Sequence, residues 1–583
     1  MRVLTGGASM PHGEEFSNTI LVTINGTPLP DDVKPLLVQG YVDDSTNVPD
    51  LFVLRFSDEA GTVLTKAQVE IGAKVELSMQ STAPGGPAVL LTGEVTAIEV
   101  EVSEAGVHTV VRGLDGSHRL FRGTRVEAYV NMTASDIVQQ VAQRAGLECK
   151  VDATTTLVEH TTQDGVNDWD FLRRLAAEHD RVLTMTGGRL EFTARPSAAE
   201  APGGGAESRS DPLVLERGVN LVHLRGTITS DGQVPQVEVR GWDPVQKKEI
   251  VAAEKAVTDS AAPGGGLTPD TLATKFPSPS YVVGLATLNQ PDAANAIASS
   301  LSDHLAGGFA ELEGTARGNP ALRAGTAVQL NGVAEPFAGK YVLTSTRHEF
   351  SPEHGYRTTF GASNASERSL YGTANAGGRS RPRTSGVVPA LVTSVQDPDH
   401  QGRVKIRLPW LADSYESWWA RTVQPGAGKD RGAVVLPEVG DEVLVAFAQG
   451  DLGHPYVLGG LYNGQDLPEG GWAPNVDGTT GAVIRRAWVS RTGMAVEFLE
   501  KPGEESLVLR TNDGSQKMVL TQTAAKGIEI VSEGDVSVKG LNVSIEATNN
   551  LDLKGLNVKL AGTKTDVSGS AQTTVTGAIV KIN

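Results

Sequence analysis

Val538-Lys-Gly-Leu-Asn-Val-Ser-Ile545 recurs fifteen residues later as Leu553-Lys-Gly-Leu-Asn-Val-Lys-Leu560. Glycines stand at 540, 555, 562, 569 and 577, so a step of 15 gives way to steps of 7, 7 and 8. Between them apolar and polar residues alternate: Val536 and Val538, then Val543 and Ile545, then Leu551 and Leu553. Short alternating strands with glycine at the corners are the pattern of a β-helix. Strands this short cannot close a wide solenoid from one chain, and they leave long unpaired edges that invite aggregation. Three copies wound together enclose a narrow core of small aliphatic side chains and remove the edges. The pattern therefore predicts a trimeric, triple-stranded β-helix over 506–583. Its core is expected from Val538, Gly540, Val543, Ile545, Leu553, Gly555, Val558 and Leu560.

Composition agrees with a thin core there. Phe498 is the last aromatic residue and Pro502 the last proline of the 583-residue chain. The formal net charge is −18, yet residues 506–583 hold eight Lys/Arg and seven Asp/Glu, so the acidity lies upstream. An acidic surface disfavours nonspecific contact with nucleic acid, and no nucleic-acid partner is expected. One cysteine, Cys149, excludes an internal disulfide and a cysteine-based zinc site. No apolar run reaches the ~18 residues of a membrane span. The first residues, MRVLTGGASMPHGEEF, lack the apolar centre of a secretory signal.

Upstream of the repeat, 464–505 reads as a connector and 386–463 as a small β unit. The runs Val387–Val395, Gly402–Leu408, Gly432–Leu436 and Asp441–Phe447 suit a Greek-key barrel of the OB type. The polar, Gly-rich stretch 372–385 (GTANAGGRSRPRTS) reads as a linker. Two further β-barrels are expected, 1–210 and 211–371. Alternating runs such as Leu51–Phe56 and Gly93–Val102 supply the first, with helices inserted near 133–146 and 167–177. A helix over 292–305 interrupts the second.

At this point the chain resembles the VgrG-type spike proteins of type VI secretion and of phage-like contractile injection systems. The strongest match is Ser417-Trp-Trp-Ala-Arg421, Gln424-Pro-Gly-Ala-Gly-Lys-Asp-Arg-Gly432, Leu436-Pro-Glu-Val-Gly-Asp-Glu-Val443 and Gly459-Gly-Leu-Tyr-Asn463. Its OB signature residues are Trp418, Trp419, Pro425, Gly432, Pro437, Gly440, Gly459, Tyr462 and Asn463. Asp115-Gly-Ser-His-Arg-Leu120 and Asp168-Trp-Asp-Phe-Leu-Arg-Arg-Leu-Ala176 are similar to the hub region of the same family. The resemblance implies a homotrimer in which two hub barrels per chain form a ring that caps an inner tube, followed by OB barrels and a needle. It implies tube and baseplate proteins, a PAAR-like tip protein and effector cargo as partners, and contact with a target membrane only on firing. Assembly is expected in the cytoplasm, with later release or injection, and without catalytic residues, metal or cofactor. The connector is too short for an inserted lysozyme module, and the chain stops just past the repeats, which leaves no room for a terminal effector domain.

Other motifs have plainer readings. Gly426-Ala-Gly-Lys-Asp430 lacks the Ser/Thr of a phosphate loop and reads as a β-turn. His348 and His354 stand six apart with Pro352 between them, not at the helical spacing of a zincin, and read as a strand end with solvated charges. Asp164, Asp168 and Asp170 lack calcium-loop spacing and fit helix capping. Trp418 and Trp419 are expected to pack against a neighbouring barrel. The rival to a structural spike is a secreted β-helix glycan hydrolase or lyase. That reading wants aromatic sugar platforms, which the tail lacks.

Overall fold

The computed structural model describes residues 18–582 except 47, 82–86, 105, 244–245, 247, 277, 286–287, 289, 352, 364–385, 410 and 413–414. The linker expected at 372–385 lies outside the described residues. The chain divides into two units, 1–463 and 464–583.

In the first unit the period-two runs become strands. Leu51–Ser57 buries Phe52, Leu54 and Phe56, while Gly106–Asp115 pairs with it on one side and Leu37–Ser45 on the other. Gly113 sits where a Cβ would lie 2.2 Å from the Phe52 ring, so only glycine lets these strands close over that ring. An eleven-stranded sheet continues across both hub barrels. The join is the antiparallel pairing of Leu37–Ser45 with Ser345–Ser351. Two cores lie along it, one around Phe52, Phe56 and Leu77 and one around Phe309, Tyr341 and Phe360.

The helices pack on smaller sheets. Ala134–Arg144 begins with a capping box, Thr133 accepting from the Asp136 N–H and Asp136 accepting from the Thr133 N–H. It buries Ile137, Val138 and Val141 against Asp168–Glu178, which contributes Trp169, Phe171 and Leu172. Pro291–Ala306 covers the sheet of Gln236–Asp243, Lys248–Lys255 and Tyr281–Gly284. A five-stranded barrel follows, comprising Val387–Ser394, Lys405–Arg407, Arg421–Thr422, Glu442–Phe447 and Pro455–Gly460. Gly432–Leu436, expected as a strand, is instead an exposed segment without a ladder partner in its own chain, with Val434 83% exposed.

The second unit opens with a meander: Arg485–Val489, Ala495–Leu499, Ser506–Arg510, Gln516–Thr521 and Gly527–Ser532, each antiparallel to the next. It crosses residue 505, where connector and needle were expected to meet. Beyond it every described residue from 533 to 582 is exposed and none joins a strand. The chain bends at 533–534, 541–542, 548–549, 556–557, 563–564, 570–571 and 578–579, at intervals of 8, 7, 8, 7, 7 and 8. The 15-residue step thus contains an extra corner, at which Ala547 stands where the other repeats place glycine.

Candidate functional site

The OB barrel closes around Val392, Val404, Ile406, Leu408, Val443, Val445 and Val457. Its first loop is pinned by Asp397, whose carboxylate accepts from the backbone N–H of Asp399, Gln401 and Arg403 and from the Arg403 guanidinium. The Arg403 guanidinium, ahead of these amides, holds the Asp397 carboxyl far below the usual carboxylate range.

The barrel sits on the two-stranded hub ladder formed by Arg125–Thr133 and Leu157–Val166. Val126 and Ala128 of that ladder pack onto the OB core. On the neighbouring strand the His160 ring stacks on Trp418 with centroids 5.9 Å apart. Lys405 also faces Trp418, its Nζ 6.0 Å from that ring and 5.5 Å from the Trp419 ring. Lys405 is held by Glu416 at 2.9 Å, and Glu416 accepts from Thr393 on its other oxygen. Burial, reinforced by the charges of His454 and Lys405, pushes His160 down to about 4. The seat is therefore apolar at its centre, with a neutral imidazole under a half-buried tryptophan.

The other signature residues shape the barrel's rim. Gly432 has φ +127 and approaches the Gly426 carbonyl so closely that a Cβ would meet it at 2.6 Å. Gly440 also has positive φ, and Asn463 donates to Glu442 at 2.8 Å. Pro437 is half-buried, while Pro425, Gly459 and Tyr462 are exposed. The 426–430 segment is a turn closed by Gly428 and Arg431, which exchange backbone hydrogen bonds.

The acidic residues near 164–170 are structural. Asp164 accepts from Arg174 at 3.2 Å, and Asp168 accepts from Arg144 and Gln163. Asp170 accepts from the Asn167 side chain at the helix start. His348 departs from the sequence reading. It lies inside Ser345–Ser351, 2% exposed, against the Tyr356 hydroxyl at 2.8 Å. Burial and the nearby Arg323 charge push it down to about 3. A strand that alternates across a sheet put this histidine on the inner face, so it is not solvated; His354 is exposed.

Spacing gave no sign of one further cluster. Arg323, between Ala310–Arg317 and Ala327–Asn331, reaches across to the first hub barrel. It donates to Asp44 at 2.5 Å and to the Leu90 carbonyl at 2.5 Å, and lies 3.7 Å from Asp50. Asp50 donates its backbone N–H to Asp115 at 3.0 Å, and Asp115 also caps the turn Gly116–Phe121 through Ser117. Burial, then the charges of Asp44 and Asp115, raise the Asp50 carboxyl well above its ordinary value. The Asp115-Gly-Ser-His-Arg119 motif stands behind this joint, within the first barrel: His118 and Arg119 both hold Glu94, the histidine at 2.9 Å.

The needle-core residues are brought to no common core within one chain. Val538 is 73% exposed, and Val543, Ile545, Leu553, Val558 and Leu560 are likewise exposed, as are Gly540 and Gly555.

Residues 388–462 match the type VI secretion system/phage-baseplate injector OB domain. A second family model, the Alg8 N-terminal domain, matches residues 80–352. Its bounds cut the strand Lys74–Ser81 and part Ser345–Ser351 from its partner Gly355–Ala362, so they follow no structural boundary. The chain is 39% identical over 94 residues to the type VI secretion system spike protein VgrG5 of Pseudomonas aeruginosa, across 15% of this chain and 12% of that protein. It is 32% identical over 96 residues to the actin cross-linking toxin VgrG1 of Vibrio cholerae, across 15% of this chain and 9% of that protein. The matched segments are thus only about a tenth of the length of these curated relatives. Among solved structures, a chain of the lidded Francisella PdpA–VgrG complex superposes with TM-score 0.51 at 10% identity, covering 89% of this chain and 80% of that one. No helix among the described residues is long and apolar enough to cross a membrane. Residues 388–462 belong to the injector OB-domain family of type VI secretion and phage baseplates, and the chain that carries them is VgrG-type in its fold.

Proposed function

We propose that this chain is the central spike and baseplate hub of a contractile injection particle. It caps the inner tube with its hub barrels and pierces the target envelope with its tail. The observation that carries this reading is the injector OB domain at 388–462 inside a VgrG-type fold. The particle is assembled from three copies, with tube and baseplate proteins at the hub end and a PAAR-like tip protein at the tail. Effector cargo rides on the same body, and a membrane is met only on firing.

The tail supports the homotrimer on physical grounds. Its 533–582 segment is exposed throughout, with Leu541 and Leu556 fully so and Val543 and Val558 more than half. The backbone there has no ladder partner, and a row of bare aliphatics is costly to keep in water. A triple-stranded β-helix satisfies both, and the eight core residues named from the repeat are its interior. Sheath contraction supplies the energy, so the spike acts mechanically and we assign it no catalytic residue, metal or cofactor.

Size-exclusion chromatography with light scattering of the full chain tests the trimer directly. The expected mass is three times the 61.2 kDa of one chain. A stable species of single-chain mass overturns the reading. Co-purification with the inner-tube protein tests the hub role, and failure of the trimer to bind assembled tube ends would reject it.

A further inference from the structure

One titratable ring lies inside the contact between the OB barrel and the hub, with neither of its nitrogens paired. The register of Arg125–Thr133 with Leu157–Val166 sets His160 opposite Val130 and Thr162 opposite Ala128. This is the face whose Val126 and Ala128 pack onto the OB core, and Thr162 is buried on it. Both nitrogens of the His160 ring are buried, and neither makes a hydrogen bond. The ring fills its space by stacking on Trp418 and leaves its polar edge unsatisfied. A neutral imidazole bears that at modest cost, whereas an imidazolium would bury a charge and two bare donors.

The surroundings hold the ring neutral. After burial, the charges of His454 and Lys405 oppose a further cation, while Asp451 and the Glu416 backbone favour one by less. The nearby acids are already engaged: Glu416 holds Lys405 at 2.9 Å, and Asp451 lies 3.1 Å from His454 Nδ1. The joint between the hub barrels carries a second buried histidine that is built differently. His348 has the Tyr356 hydroxyl at 2.8 Å on one nitrogen and the Thr346 hydroxyl at 3.4 Å on the other, and either hydroxyl can accept. Arg323 is the charge that faces His348, and Asp44 holds it.

We propose that His160 is an acid-sensitive latch, whose protonation unseats the OB barrel from the hub while the two hub barrels stay joined. The order follows from the two sites. His160 takes its proton at about 4 and His348 at about 3, and only His160 lacks a group to receive the added donor. The folded state binds this proton less well than the unfolded chain does. The seat is therefore fully held above the ordinary 6.5 and weakens as pH falls toward 4. The latch works within one copy, so it stands apart from how many copies assemble.

Hydrogen–deuterium exchange of the full chain at pH 7 and pH 4, with the intrinsic pH dependence divided out, tests this. A two-stranded ladder stripped of the barrel above it frays. Protection of Arg125–Thr133 and Leu157–Val166 is thus expected to fall by about tenfold or more at pH 4. Protection of Leu37–Ser45 and Ser345–Ser351, which join the hub barrels, is expected to stay within about threefold. His160→Phe keeps a ring against Trp418 and His160→Gln keeps a polar side chain, and at least one is expected to hold the pH 7 pattern at pH 4. Unchanged wild-type protection of the ladder at pH 4 overturns the latch, as does equal opening of the wild type and both variants. Loss of protection at the hub joint at the same pH rejects the order. A single-chain mass in light scattering would remove the spike assembly and leave each of these outcomes readable.

Discussion

Trp169 and Trp488 lie in different units and have opposite fates. Trp169 is 1% exposed, stacked on Phe121 at 5.2 Å among Phe171, Leu172 and Leu175. Trp488 is 77% exposed on the uncovered face of a sheet. The first unit completes its cores from its own chain, and the second presents an unfinished surface. The difference shows that apolar patterning alone does not say whether an apolar face is covered by its own chain. Trp169→Ala is expected to lose about 3–5 kcal/mol of unfolding free energy, as large core truncations do. That loss, read by urea denaturation of the first unit's transition, should not depend on protein concentration. The loss from Trp488→Ala should grow on dilution. A concentration-independent loss at both sites would erase the contrast.

Within the first unit the comparison sharpens at the joint between the two hub barrels. Arg323→Met leaves the buried Asp44 carboxylate without its guanidinium, and breaking a buried pair from one side costs about 3–5 kcal/mol. Asp50 works in the other direction. Its carboxyl is raised in the folded state, so the native form holds its proton more tightly than the unfolded chain does. That contribution is complete below the ordinary carboxylate range and is lost as pH rises through the raised value. Asp50→Asn keeps the neutral shape, and it is expected to raise the melting temperature at pH 8 while changing it little at pH 4. A lower melting temperature at pH 8 would show Asp50 to be an ionised partner of Arg323 instead.

The seat of the OB barrel gives a smaller effect with the opposite sign. His160 is pushed from its ordinary 6.5 to about 4, so the folded state binds its proton less well than the unfolded chain. Stability is full above pH 6.5 and falls as pH drops toward 4, by about 3 kcal/mol at most at 1.36 kcal/mol per pKa unit. His160→Gln should flatten that acid limb in a pH series of melting temperatures. An unchanged limb would mean that the ring is solvated, and that the OB barrel is not seated on the Arg125–Thr133 and Leu157–Val166 ladder.

Much of this architecture is legible in residue order, and what is not has a common cause. Alternation in Leu51–Phe56 and capping at Thr133 and Asn167 are local signals, and the strands and helices form where they point. The Trp-Trp, Pro and Gly series of 417–463 marks the OB barrel by its resemblance to the family. Arg323 and Asp44 are 279 positions apart, and no period links them. The same holds for His160 and Trp418. In Gly432–Leu436 the apolar run predicts a strand but cannot say what pairs with it, and in the meander, read as connector and needle, neither the pairing nor the covered face is written in residue order. Ala547 escaped because the corner was recognised by its glycine, while the backbone there turns without one.

The smallest expected effect separates two kinds of exposed leucine and valine in the tail. Leu541 and Leu556 sit on the bends, fully exposed, one residue after Gly540 and Gly555. Val543 and Val558 lie two residues further on, on the straight segments, more than half exposed and close to those glycines at 3.5 and 3.7 Å from a notional Cβ. If three copies wind together, the bends form the outer corners and the straight segments turn inward. Leu541→Ala and Leu556→Ala are then surface changes, within about 0.5 kcal/mol in thermal melts. Val543→Asp places a charge that winding would bury without a partner. It is expected to open the tail to limited proteolysis beyond the meander while leaving the first unit's melting temperature unchanged. A Leu541→Ala tail digested as fast as a Val543→Asp tail would put the corners inside and reverse the assigned facing of the repeat.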